Sequence, residues 1–394
     1  MNPWLSLIGV GEDGALSPAA AARLAQASLV VGGARHLVLI GPTKAETLVW
    51  PLPLSDAFPA ILARAGERVC VLASGDPFFF GVGSLLAGLV DEFESFPQPS
   101  AFSLAASRLG WALQDCVLIS LHGRPLEAVI PHLHPRARLL ALSWDGATPG
   151  RLAALLNQRG LGSTRLTVLE AMGGQRERRL SMLARDFDAD GFDPLNTVAI
   201  EVADLGERIP PRAPGLPDDW FESDGQMTKR EMRALTISAL APRPGEILWD
   251  IGAGSGSISV EWLLADPSLT AFAVEQHAER CARIRANATA LGVPRLNVIE
   301  GEAPQALGGL PAPDAVFIGG GVESVVPPCW AALKPGGRLV VNAVTVESQA
   351  ALSALSKQYG GELLHAQFAR ATPVGRFRGF RAAMPVVQWR AVKP

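Results

Sequence analysis

The stretch LWDIGAGSGSIS, residues 248–259, decides how the second half of this chain folds. It opens as an apolar, strand-like run carrying Asp250; Gly252, Gly254 and Gly256 then alternate into a helix-like continuation. Glycines permit positive φ and close backbone approach, and a helix N-terminus offers free N–H groups to a carboxylate or hydroxyl. A dinucleotide fingerprint spaces its glycines G-x-G-x-x-G; here they alternate behind an acid, which does not support a dehydrogenase. Glu275 ends the next strand-like run, where a carboxylate can accept from both hydroxyls of a ribose.

Working outward, the pattern predicts a helix over 228–240, a strand at 247–251 and, after the glycine loop, a helix through 264. Further strands are expected at 271–275, 297–300, 315–318 and 337–344, with a helix over 278–291. That alternation is a doubly wound sheet. The first half carries a different turn in VCVLASGDPFFFGVG, residues 69–83, which is neither a P-loop nor a dinucleotide fingerprint. Around it lie strand-like runs at 4–11, 29–33, 69–73, 117–121, 138–143, 165–170 and 197–202. Ser17 and Pro18 open a helix over 17–27 as cap and first helical residue. A mainly parallel α/β arrangement is expected, with a second sheet forming towards residue 202. IPPRAPGLP, residues 209–217, can continue neither a helix nor a central strand. We therefore expect domains over 1–207 and 219–394, joined by a linker over 208–218; no repeat relates the halves.

Bulk properties narrow the field. Of 394 residues, 48% are apolar and 19% charged, enough for two packed cores. A net charge of −3 gives no general attraction to nucleic acid or anionic membrane. Cys70, Cys116, Cys281 and Cys329 lack the spacing of a metal site or disulfide framework and read as small buried hydrophobes. The opening MNPWLSLIGVGEDG has no basic leader pattern. Residues 69–90 approach membrane-span length but contain Asp76, Pro77 and several glycines. A cytoplasmic protein is expected, with no metal.

The DxGxGxG loop, Glu275 and LKPGGRLVV (333–341) resemble the Rossmann-like methyltransferases that bind S-adenosylmethionine. The resemblance implies cofactor contacts at Asp250, Gly252, Gly254, Gly256, Glu275, Glu302 and Ala303, with Glu275 on the ribose and the last two beside adenine. FIGGG (317–321) follows strand four, where amine-methylating relatives place Asn or Asp before two prolines. Lacking a carboxamide there, the site is not expected to take an exocyclic amine.

LIGVGEDG, ASGDPFFFGVG, residues 100–103 and Met172-Gly173-Gly174 occur in an order similar to that of the tetrapyrrole methylases. These bind the same cofactor folded between two lobes, which implies contacts at Gly75, Asp76, Phe79, Ser100, Ser103 and Met172. The chain departs from many relatives at Pro97-Gln98-Pro99-Ser100. On the residues alone, Phe78 to Phe80 either line the pocket or belong to the core. Together with LPDDWF (216–221), the helix start at 227–231 and GEAPQAL (301–307), the chain resembles the CobL-type fusions of cobalamin biosynthesis, a CbiE-like half joined to a CbiT-like half.

The resemblance implies a two-lobed tetrapyrrole methylase fold followed by a Rossmann-like fold, with one S-adenosylmethionine in each. It implies methylation of carbons 5 and 15 of precorrin-6B with loss of carbon dioxide from the ring C acetate, giving precorrin-8X. It also implies a homo-oligomer formed through the C-terminal domain. A polycarboxylate substrate calls for flanking cations, with Lys229, Arg230, Arg233, Arg376, Arg378 and Arg381 as candidates. His122 and Arg124 follow a strand of the first half and are candidates for facing its cleft. No catalytic acid or base stands out. The rival readings are an RNA or small-molecule methyltransferase, and a cofactor-binding regulatory module.

Overall fold

The computed structural model describes residues 3–394; Met1 and Asn2, which begin the 1–207 domain and the opening read for a leader, lie outside the described residues. The chain divides into two compact units, one comprising the residues up to Leu126 with His132–Glu207, the other Glu127–Pro131 with Arg208–Pro394.

The first unit contains two sheets. One is built from β1 (Leu5–Val10), β2 (Leu29–Gly32), β3 (Glu46–Val49), β4 (Val69–Ser74) and β5 (Phe93–Phe96), in the order β3-β2-β4-β1-β5. Every pairing in it is parallel. All six residues of β1 are buried, as its continuous apolar run requires of a strand covered on both faces. Ser17 caps the helix Pro18–Leu24 by accepting from the Ala20 N–H at 3.2 Å. The register Val10↔Ser74 brings the carboxyl ends of β1 and β4 side by side. Contact there is so close that a Cβ on Gly9 would sit 1.9 Å from the Gly75 carbonyl oxygen.

The second sheet comprises β6 (Cys116–Ser120), β7 (Arg138–Leu142), β8 (Arg165–Glu170), β9 (Arg178–Leu183) and β10 (Asn196–Glu201), in the order β6-β7-β10-β8-β9. Only β6 and β7 run parallel; β10 is antiparallel to β7 and β8, and β9 to β8. The mainly parallel expectation therefore holds for the first sheet and not for this one. The seven residues between β8 and β9 are too few for a parallel crossover, which needs a dozen or more.

The second unit holds β11 (Ile247–Ile251), β12 (Thr270–Glu275), β13 (Asn297–Glu300), β14 (Ala315–Ile318), β15 (Arg338–Ala343), β16 (Glu362–Ala366), β17 (Ala369–Val374), β18 (Phe377–Ala382) and β19 (Val386–Val392). Seven of these form one sheet, β13-β12-β11-β14-β15-β19-β16, with β11 to β15 parallel and β19 antiparallel to both its neighbours. Its core includes Leu248, Ile258, Trp262, Ala273 and Ile284. β17 and β18 pair only with each other and are largely exposed.

The Pro/Gly segment is packed rather than slack. Leu216 is buried in the second unit's core, and the Gly215 and Leu216 N–H groups donate to the Glu261 carboxylate at 2.6 and 2.8 Å. A cavity of about 500 Å³ opens beside it, lined by Pro211, Pro214, Ile237 and Leu264, and contains none of the expected site residues. No helix among the described residues is long and apolar enough to cross a membrane.

Candidate functional site

In the second unit the site forms where β11, β12 and β14 end. Gly252, Gly254 and Gly256 have φ of 69°, 59° and 73°, all in the left-handed region, so each glycine is needed for its backbone. Gly256 leads into the helix Ser257–Ala265 and packs so tightly that a Cβ would lie 2.7 Å from Ile284. Gly320, after β14, meets nothing within 4 Å, leaving open space opposite the loop.

Asp250 is buried on β11. Its Oδ2 accepts from the Ser259 N–H at 3.1 Å and the Ser259 hydroxyl at 2.6 Å, while its Oδ1 and the buried Ser255 Oγ have no partner. Burial pushes the Asp250 carboxyl up to about 6, helped by the Glu275 charge and opposed by the Ser259 hydrogen bonds. Glu275 ends β12, 4% exposed. It accepts from the Gly254 N–H at 3.0 Å and the His277 N–H at 3.1 Å, which fixes the carboxylate while each oxygen keeps an acceptor position. Two unsatisfied buried acceptors, a fixed carboxylate and a glycine cradle fit an adenosyl ligand with ribose hydroxyls. After β13, Glu302 is exposed and Ala303 half-buried, with the Glu302 carbonyl accepting from the Ala306 N–H.

The first unit's turn sits at the end of β4. Gly75 has φ 59°, and a Cβ there would lie 2.8 Å from the Pro99 carbonyl oxygen. The Gly75 N–H donates to Val10 and its carbonyl accepts from the Gln98 N–H, tying the turn to β1 and to residues 97–100. Asp76 Oδ1 accepts from the Phe78 N–H at 2.8 Å. Ser100 caps the helix Ala101–Leu109 by accepting from the Ser103 N–H at 3.1 Å, and the two hydroxyls lie 3.0 Å apart. Met172 is buried against Phe102, Leu140 and Leu169. Phe79 is 38% exposed and meets Phe102 edge-on at 5.2 Å. Of the two readings of Phe78 to Phe80, membership of the core is the one the structure does not bear out: all three are exposed.

Sequence reasoning missed a polar cluster beside this turn. Ser74 Oγ lies 2.7 Å from an Arg35 guanidinium nitrogen and 2.8 Å from His36 Nε2, and Arg35 pairs with Glu12. Burial, then the Arg35 charge, lowers His36 to about 4. The signal available was an Arg-His pair directly after a glycine-ended strand, the position where α/β sheets place ligands.

The expected substrate cations divide. Lys229 and Arg230 are exposed at the start of the helix Arg230–Leu240, and Arg376, Arg378 and Arg381 are exposed at the β17–β18 ribbon. Arg233 is the exception. It is fully buried, ion-paired to Glu261 at 2.5 Å and Asp218 at 3.2 Å, and lies over the Phe221 ring. A guanidinium so enclosed holds the fold and does not flank a pocket.

Comparison with known proteins follows this division. Residues 5–188 match the tetrapyrrole (corrin/porphyrin) methylases, and residues 219–393 match the precorrin methyltransferase domain. A precorrin-6Y C(5,15)-methyltransferase [decarboxylating] from Sinorhizobium sp is 54% identical over 100% of this chain and 97% of its own length. A probable cobalt-precorrin-6B C(15)-methyltransferase (decarboxylating) from Pyrobaculum calidifontis is 36% identical over 45% of this chain and 95% of its own length. The crystal structure of the C-terminal domain of precorrin-6Y C5,15-methyltransferase from Rhodobacter capsulatus shares 48% identity, covering 47% of this chain and all of that one, with a TM-score of 0.45. With two unlike strand-end glycine turns in one polypeptide and a full-length relative at this identity, the chain belongs to the decarboxylating precorrin-6Y C(5,15)-methyltransferase family.

Proposed function

We propose that this chain methylates carbons 5 and 15 of precorrin-6B, using two S-adenosylmethionine molecules, and decarboxylates the ring C acetate to give precorrin-8X. The observation that carries the reading is the pair of glycine turns, each at the carboxyl ends of parallel strands and each with its own carboxylate, Asp76 or Glu275. When bound, the cofactor supplies an electrophilic methyl on a sulfonium. In the second unit, Glu275 receives the ribose hydroxyls, the Gly252–Gly256 backbone admits the ligand closely, and Asp250 and Ser255 offer their open acceptor positions. In the first unit, Gly75 and Asp76 shape the turn, with Phe79, Ser100, Ser103 and Met172 around it.

The acceptor is carbon. Residues 317–321 carry no amide, acid or hydroxyl, which suits an electron-rich meso position needing placement and exclusion of water more than a strong base. The carboxylate of the ring C acetate departs as carbon dioxide, the pair of the broken C–C bond passes into the conjugated ring, and a proton returns to leave a methyl group. We assign carbon 15 methylation and decarboxylation to the second unit and carbon 5 to the first. The Pyrobaculum relative, whose name pairs C(15) with decarboxylation and which matches under half of this chain, supports that division. Lys229, Arg230, Arg376, Arg378 and Arg381 remain cations for the substrate carboxylates. A cytoplasmic homo-oligomer joined through the second unit completes the reading, supported by the exposed Val374, Phe377 and Phe380 of the ribbon. Neither nucleic acid nor membrane is a partner. Membership of the family disfavours the RNA-methyltransferase and regulatory-module alternatives.

The test uses the full chain and fragments 1–207 and 208–394, each incubated with precorrin-6B and labelled cofactor while methyl groups and carbon dioxide are counted. Two methyls and one carbon dioxide are expected from the full chain, which should bind two cofactors by calorimetry. A single cofactor site overturns the two-site reading. A carbon 5 methyl added by 208–394 alone overturns the division.

A further inference from the structure

The turn after β4 holds a feature that folding does not explain. Phe80 has φ 55°, a left-handed conformation that a bulky residue rarely adopts, yet its side chain is 45% exposed. The strain is imposed by neighbours on both sides. Asp76 accepts from the Phe78 N–H through its side chain and from the Phe79 N–H through its carbonyl, the Gly83 N–H donates to Pro77, and a Cβ on Gly81 would lie 2.4 Å from the Pro77 carbonyl oxygen. A costly conformation that keeps an aromatic ring in water, held by so many contacts, is the pattern found at ligand sites.

What surrounds the ring defines the ligand. Phe80 rests against Phe102, centroids 5.7 Å apart, and Phe102 is buried in the core, so the ring is backed by a fixed surface. The Arg124 guanidinium lies over Phe80 at 5.5 Å from the centroid. Arg124 is exposed and makes no ion pair among the described residues, so its charge is open to an incoming anion. It follows β6, and Trp144, 54% exposed beside His122, follows the parallel neighbour β7, so both emerge at one edge of the second sheet.

We propose that Phe80 and Arg124 form a substrate platform on the first unit, with the phenyl ring against one face of the reduced tetrapyrrole and the guanidinium on one of its peripheral carboxylates. The proposal rests on the functional reading above and assigns positioning residues for it. An exposed ring suits the apolar face of a macrocycle, and a planar cation already stacked on that ring presents its N–H groups to a carboxylate with little further ordering. The cofactor carries one carboxylate offset by its ammonium and sulfonium charges, whereas the substrate carries many, which favours the polyanionic substrate as the occupant.

The experiment titrates the full chain with uroporphyrin III, a stable planar polycarboxylate, and measures S-adenosylmethionine binding on the same preparations. Arg124→Gln and Phe80→Gly are each expected to weaken uroporphyrin binding about tenfold, leaving cofactor affinity unchanged. Arg124→Lys should fall between, keeping charge but losing the planar stack. Phe80→Gly should not lower the melting temperature much, because glycine accepts φ 55° without strain. Wild-type protein that does not bind uroporphyrin, variants that bind it equally well, or variants that lose cofactor affinity instead all overturn the platform. Precorrin-6B turnover separates this from the functional reading. Methylation by the wild type with unchanged KM in both variants sinks the platform alone, whereas no methyl transfer by the wild type sinks the reading beneath it.

Discussion

At the scale of single residues, the second unit's site turns on two carboxylates in unlike settings. Asp250, raised to about 6, is mostly ionised at pH 7 and mostly protonated at pH 5. If its charged form is the one that receives the cofactor, affinity at this site falls about tenfold between pH 7 and pH 5. Calorimetry at the two pH values checks it, and Asp250→Asn should flatten the dependence. Glu275→Gln replaces an acceptor-only group by an amide that confronts the Gly254 N–H or a ribose hydroxyl with its own donors. We expect cofactor binding at this site at least about tenfold weaker, roughly 1.4 kcal/mol, with the first unit's site unaffected. The spacing of residues 250–256 and the strand-end position of Glu275 made this site legible because backbone geometry dictates both. The Glu12, Arg35, His36 and Ser74 cluster was not legible. Its members lie up to 62 positions apart, and it is the pairing of β4 with β1 and β2 that brings their turns together.

At the scale of elements, the buried strands β11 and β14 match the expectation residue for residue, and so does β13, although it is a half-exposed edge strand. β3, β5 and β9 were missed because they are short or half-exposed and lie at sheet edges, where packing imposes little pattern. The Arg233–Glu261 pair was misplaced for the opposite reason. An arginine on a helix reads as a surface cation unless its partner, 28 residues away, is known. Removing one member leaves the other buried and uncompensated, so Arg233→Met or Glu261→Gln should each cost about 3–5 kcal/mol. Urea unfolding of the second unit measures this, and Arg233→Met with Glu261→Leu should recover part of the loss.

At the scale of the whole molecule, the two units respond to acid in opposite directions. His36 stays neutral when folded down to about 4, whereas an unfolded histidine binds a proton near 6.5. Its contribution is fully present above 6.5 and lost as the pH falls from there towards 4, up to about 3 kcal/mol. Asp250 behaves the other way, because its folded value lies above the unfolded 3.8. Its contribution is fullest below 3.8 and is lost as the pH rises through about 6. Asp224 is held low by the Gln226 N–H and then Arg280, and Glu231 by Arg370, so both titrate beneath this window. Scanning calorimetry from pH 7 to pH 5 should therefore show the first unit's transition moving down while the second's does not follow, and His36→Gln should suppress the first shift.

The clasp of Glu261 on the Gly215 and Leu216 amides also says where a shortened gene could start. A reading frame opened downstream of Leu216 would strip the carboxylate of both amide donors and pull an apolar plug from the hydrophobic interior. One opened before Pro210 keeps the clasp whole, so the catalytic module begins inside the stretch that the primary structure marks with proline, not after it.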